Sequence, residues 1–110
     1  LEFHATSLPP NKIGLVFMSR GQSSVPSFNG LRCVGAAGAP VFRFPIHNGG
    51  AIGQIVQGPG IVAWSQAHFP AAGRIAGSQT WNFQTWFRDP MGMCGATTNY
   101  SNAVQVTFYP

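Results

Sequence analysis

The sequence predicts an all-β domain, an antiparallel two-sheet β-sandwich of about seven short strands, with a small β-barrel as the alternative. Three observations carry that prediction. Breakers are dense, with 14 Gly and 9 Pro in 110 residues, which leaves little room for long helices. An apolar content of 45%, including 13% aromatic residues, is too high for a disordered chain. No segment sustains a helical apolar period, whereas several short segments alternate with a period of two between turn signals.

Taken in order, "LEFHATS" alternates Leu1, Phe3 and Ala5 against Glu2, His4 and Thr6, the pattern of a strand with one wet face, and "LPPN" stops it. "IGLVFMS", Ile13 to Ser19, is nearly continuous in apolar residues and suits a central strand covered on both faces. "RGQSSVPSFNG" reads as turn-rich, "LRCV" as a short strand carrying Cys33, and "GAAGAP" as a loop. "VFRFPI" alternates around Phe42, Phe44 and Ile46, with Pro45 marking an edge strand. "HNGG" is a hairpin-type turn, and "AIGQIVQGPGIVAW" gives one or two weak strands broken at "GPG". "SQAHFPAAG" has room for a single helical turn between its breakers. "SQTWNFQTWFRD" is the longest strand, "PMGMCGATTNYSN" a long polar loop, and "AVQVTFY" a closing strand with Val104, Val106 and Phe108 on one face.

The length fits one domain spanning residues 1–110, without internal repeat or linker. The chain does not begin with Met, and it is expected to be the C-terminal or mature portion of a longer exported precursor. No apolar run approaches the length of a membrane span, so no membrane insertion is expected.

Charge narrows the function classes. Only 7% of residues are charged, against roughly 25% in an ordinary soluble domain. Lys12, Arg20, Arg32, Arg43, Arg74 and Arg88 are scattered singly, where a nucleic-acid binder gathers its cations into a patch or stripe. The acids are Glu2 and Asp89 alone, too few for most acid–base or nucleophilic mechanisms, so no catalytic residue and no cofactor is expected. His4, His47 and His68 lack metal-ligand spacing, and no metal is expected. The glycine-rich stretches lack the ending of a phosphate loop. What is left is an exterior of small polar residues, as in stable extracellular domains and in subunits covered by their neighbours.

Cys33 and Cys94 are an even pair in a short Gly/Pro-rich chain, which favours a disulfide over two buried reduced thiols. It would close a loop of about 60 residues, be worth on the order of 4 kcal/mol, and indicate an oxidising compartment. "NYS" at Asn99 is formally an N-glycosylation acceptor, read here as unused.

The densest chemistry lies in "TWNFQTWFRDP". Strand parity puts Trp81, Phe83, Thr85 and Phe87 on a core face and Asn82, Gln84, Trp86 and Arg88 on the other. An indole flanked by amides and a guanidinium is a sugar-binding kit: the ring stacks on C–H faces and the polar groups reach hydroxyls. The competing reading has Trp86 packed beneath a loop and Gln84 satisfying backbone groups. Trp64 is a further candidate platform, or a plug at the end of the sandwich. Asp89 and Pro90 read as a strand-end turn.

The segments "ATSLPPNKIGLVFMS", "FNGLRCVG", "GSQTWNFQTWFRDP" and "NYSNAVQVTFYP" resemble, in order and over nearly the whole chain, a C-terminal domain of large secreted proteins of environmental bacteria. The resemblance implies an exported, non-catalytic β-domain appended to varied partners, with Cys33 and Cys94 bridged. It carries over no ligand-binding residue. The chain departs from the family pattern at "SFNGLRC", where an acidic residue often precedes the glycine, and at Met91 and Met93 around Cys94.

Two functional expectations follow. One is an extracellular or cell-surface interaction module that binds glycans or matrix material through Trp86, Gln84, Asn82 and Arg88, with Trp64 as a further contact. The other is a self-assembling structural subunit whose low-charge surface is buried by copies of itself, through strand edges open to addition.

Overall fold

The computed structural model describes residues 1–27, 30–35, 39–89 and 98–109. In chain order these form β1 (Phe3–Ala5), β2 (Ile13–Ser19), β3 (Gln22–Ser27), β4 (Gly30–Val34), β5 (Phe42–Arg43), β6 (His47–Asn48) and β7 (Ile55–Gln57). A helix α1 (Ile61–His68) and a 3-10 turn (Ala71–Gly73) follow, then β8 (Thr80–Arg88), β9 (Thr98–Tyr100) and β10 (Val104–Thr107).

The centre is the antiparallel pair β2 and β8, with Leu15 opposite Trp86, Phe17 opposite Gln84 and Met18 opposite Phe83. Both outer columns of this sheet are split. Beyond β8, β10 pairs with residues 80–83 and β9 with residues 86–88. Ser101 bridges the gap: its N–H donates to the Thr85 carbonyl at 2.9 Å and its Oγ accepts from the Thr85 N–H at 2.9 Å. Beyond β2, β5 lies against Phe17 and Met18, and β6 against Ile13 and Gly14.

Each face of this sheet has its own cover. On one, Val16, Met18, Phe44, Trp81 and Phe83 form the main core with Ile61 of α1 and Ile75, while the β1–β7 ribbon brings Phe3 onto Phe83 at 4.3 Å between ring centroids. On the other, the β3–β4 hairpin lies over Leu15 and Phe17 and buries Val34 against them. The architecture is all-β and sandwich-like, and the sheet does not close into a barrel.

β2 has the expected bounds and is buried along nearly all its length, as its unbroken apolar run requires. β8 is the longest strand. Several segments differ from expectation: "PMGMCGATTNYSN", read as a loop, contributes β9 where Thr98–Tyr100 pairs with β8, and "HNGG", read as a turn, contributes β6 where His47–Asn48 pairs with β2. "RGQSSVPSFNG" was expected as turn but contributes β3, whose serines are held by pairing with β4 rather than by an apolar face of their own. "IVAW" was expected as strand and is helical. Its β-branched and aromatic residues favour a strand locally, but burial overrides that preference. Ile61 and Ser65, one turn apart, face the core, where Ser65 Oγ donates to the Val62 carbonyl at 2.7 Å and accepts from the Ile75 N–H at 3.0 Å.

At Gly14 the β1–β7 ribbon packs closely on the sheet. A Cβ there would lie 2.6 Å from Ile55 Cδ1 and 2.6 Å from the Trp86 carbonyl oxygen. Gly14→Ala is therefore expected to cost about 1–3 kcal/mol through overpacking, measured as a lower urea midpoint with an unchanged slope. A wild-type midpoint would contradict this packing.

Candidate functional site

Of the expected core face of β8, Trp81 and Phe83 join the main core, Thr85 is buried and Phe87 is only partly buried; of the opposite set, Asn82 and Gln84 hydrogen-bond to residues of the hairpin and its flanking turn. That second set is only partly open. Asn82 and Gln84 are 3% and 2% exposed, Trp86 is half-buried and Arg88 is exposed.

The two amides are occupied within the fold. Gln84 Nε2 donates to the carbonyls of Leu31 at 2.8 Å and Ser101 at 2.7 Å, and its Oε1 accepts from the Cys33 N–H at 3.0 Å. Asn82 Nδ2 points at the carbonyls of Ser19, Arg20 and Gly21, each 3.3–3.4 Å away, while its Oδ1 accepts from Gln22 and Gln105. Buried amides with their donors and acceptors used this way are structural groups. The expected aromatic-amide face therefore divides into a covered amide half and an open half at Trp86 and Arg88.

At that open half lies a cleft of about 440 Å³, within the ordinary range for small-ligand sites. Leu15 and Phe17 form its buried floor, with Trp86, Tyr100 and Val41 partly exposed around them. Among the described residues Arg32, Arg43 and Ile46 also line it. Strand register brings several of these residues together, while Val41 and Ile46 flank β5 and β6. Arg43 lies opposite Phe17 and so shares its face, and Tyr100 lies opposite Trp86. Arg32 has the same parity as the fully buried Val34, so β4 carries its side chain inward between hairpin and sheet. The Arg32 Nε atom is buried and has no hydrogen-bond partner among the described residues.

Arg88 stands at the margin, its Cζ 4.9 Å from the Trp86 ring centroid and its Nη1 3.2 Å from Thr98 Oγ1. Neither acid of the chain lines the cleft: Glu2 pairs with His4 at 2.9 Å, and Asp89 accepts from Asn99 Nδ2 at 3.2 Å. Arg32, Arg43, Tyr100 and Phe17 were absent from the sequence-based candidates. The shared parity of Arg32 and Val34 in "LRCV" was the available signal, but it acquires meaning only when β4 is laid over β2 and β8.

Trp64 lies apart from this site. It sits on α1, packed against the main core on the opposite face of the sheet, with its ring stacked on His68 at 3.6 Å. His4 and His47 contact Gln54 and Gln57 respectively. The described residues contain no group of three His, Cys, Asp or Glu able to hold a metal, and no helix long and apolar enough to cross a membrane. Among the described residues Cys33 forms no disulfide, its Sγ lying 3.8 Å from the Leu31 carbonyl oxygen, and its expected partner Cys94 lies outside the described residues, as does Pro90. A second groove, of about 300 Å³, crosses the core side beside His4, Ser7, Thr85 and Asn102, and contains no arginine.

Gln84→Leu keeps the approximate side-chain volume and strands three backbone groups. At roughly 1–3 kcal/mol per stranded buried group, partly recovered by water, a total loss of about 3 kcal/mol is expected by chemical denaturation, with faster hydrogen exchange at the Cys33 amide. Unchanged stability would contradict a structural role for this amide. Comparison of the chain with family models, with curated proteins and with solved structures gives no match.

Proposed function

We propose that the chain is a non-catalytic extracellular interaction module that binds glycans or cell-surface material, with the cleft beside Trp86 as its contact site. The observation that carries this reading is a partly open indole and phenol, Trp86 and Tyr100, set over an apolar floor with arginines at the rim. Aromatic faces supply dispersion and C–H contact to a sugar ring, and guanidinium groups supply directional donors to its oxygens. In this reading Asn82 and Gln84 are the supports that hold the hairpin in place, and contact falls to Trp86, Tyr100 and the arginines.

The decisive experiment is affinity electrophoresis through gels containing soluble polysaccharides. The wild type is expected to be retarded in at least one gel, and Trp86→Ala to migrate as in a polysaccharide-free gel while keeping a wild-type circular dichroism spectrum. Equal migration of both proteins in every gel would sink the proposal.

Export implies the Cys33–Cys94 bridge. The expected result is that the purified exported protein reacts with a thiol probe only after reductant is added. Two thiols titrating without reductant would remove this support for export.

A second reading is favoured by one observation: β10 ends the sheet, pairs on one side with β8, and exposes Val104 to 44%. Such an edge is open to strand addition by another copy, as in a self-assembling structural subunit. Light scattering across a concentration series is expected to show growth that Gln105→Pro abolishes, since strand parity turns the Gln105 N–H to the open edge while that of Val106 faces Trp81; a monomer at every concentration rules it out.

A further inference from the structure

We infer that the Trp86 cleft takes an acidic sugar, with a uronate carboxylate bound by Arg32 and the sugar ring lying against Trp86 and Tyr100. The inference rests on the glycan-binding reading and specifies its substrate class.

Three observations on the cleft point to an anion. The first is Arg32 itself. Its Nε is buried and has no hydrogen-bond partner among the described residues. A buried guanidinium donor is costly to leave without an acceptor, and nothing lining the cleft is a carboxylate. The second is the distribution of charge. Three of the chain's six Lys and Arg residues, Arg32, Arg43 and Arg88, lie in or beside this one cleft, whereas neither acid lines it: Glu2 pairs with His4 and Asp89 accepts from Asn99. The third is the surroundings. Leu15, Phe17 and Val41 reduce the local dielectric, which strengthens the attraction between a guanidinium and an entering anion.

A carboxylate is favoured over other anions by shape. A guanidinium presents its donors in a planar fork that matches two carboxylate oxygens, and the buried Arg32 Nε has no partner among the described residues. A uronate carries that carboxylate on a ring whose apolar C–H face suits an indole, so one residue satisfies both halves of the cleft. A nucleic acid fits poorly. The remaining cations do not extend the cleft into a stripe: Arg20 lies over Trp81, and Arg74 donates to the Phe69 carbonyl beside the main core.

The test is isothermal titration of the whole chain with oligogalacturonate, neutral dextran oligosaccharide and dextran sulfate. The variants are Trp86→Ala, Arg32→Gln, Arg32→Lys and the rim substitution Arg43→Gln, each checked for a wild-type circular dichroism spectrum. The expected result is binding of oligogalacturonate, weakened about tenfold or more by Arg32→Gln, as loss of one charge-assisted pair implies. Arg32→Lys is expected to be nearly as weak, because an ammonium keeps the charge but not the fork. Arg43→Gln, whose side chain lies exposed at the rim, keeps the inference testable should Arg32 variants fail to fold, and is expected to weaken the same ligand.

Trp86-dependent binding of dextran that ignores Arg32 and Arg43 would leave the glycan reading standing and overturn the acidic-sugar inference. Binding of dextran sulfate without oligogalacturonate would overturn the carboxylate assignment. Oligogalacturonate binding unchanged by every variant would show a diffuse charge effect and overturn the cleft. No binding to any of the three would remove the acidic-sugar inference, and the electrophoresis panel then decides the broader reading separately.

Discussion

The fold depends on covering both faces of β8, and the hydrogen bonds of Gln84 are what make the second cover possible. On the core side the problem is solved by apolar area alone, with Trp81 and Phe83 nearly inaccessible beneath α1 and the β1–β7 ribbon. On the other side the cover is a hairpin with three serines, Gln22 and Arg32 in its strands, which brings peptide groups onto a buried surface. Left unpaired, those groups would oppose docking. One amide side chain reaches Leu31, Cys33 and Ser101, and so joins β4 and the β9–β10 connection to the central strand.

Asn82 does the same one pleat earlier, gathering the carbonyls of the turn between β2 and β3. Neutral amides in place of ion pairs connect directly with the low charge content of the chain. A buried amide donates and accepts at once and carries no ionic desolvation cost, so it satisfies mixed backbone groups that a carboxylate or ammonium could meet only in part. The few charges that remain are correspondingly conspicuous, and half of the cations surround a single cleft.

That cleft exists because the hairpin cover stops short of the end of β8. Asn82 and Gln84 lie beneath it, Trp86 at its boundary and Arg88 beyond it, so one strand grades from structural support to accessible surface within seven residues, 82–88. In the proposed glycan-binding reading, the heavily hydrogen-bonded support would hold the aromatic and guanidinium groups in fixed positions and so reduce the entropy lost on binding.

The sequence by itself determined the class of the fold, the bounds of β2, the dominance of β8 and the two-sided parity of "TWNFQTW", because these follow from local side-chain alternation and from uninterrupted apolar runs. It did not specify α1, since Ile61, Val62 and Trp64 favour a strand until Ser65 and Ile61 are buried against the core. Nor did it reveal β3, whose serines have no apolar face of their own and are held by their partner strand. Only the tertiary structure decided which half of the Asn82–Arg88 face is open, and that Arg32, Arg43 and Tyr100 join Trp86. Those residues are far apart in the chain and meet through register and hairpin docking, which are non-local pairings that no window of sequence contains.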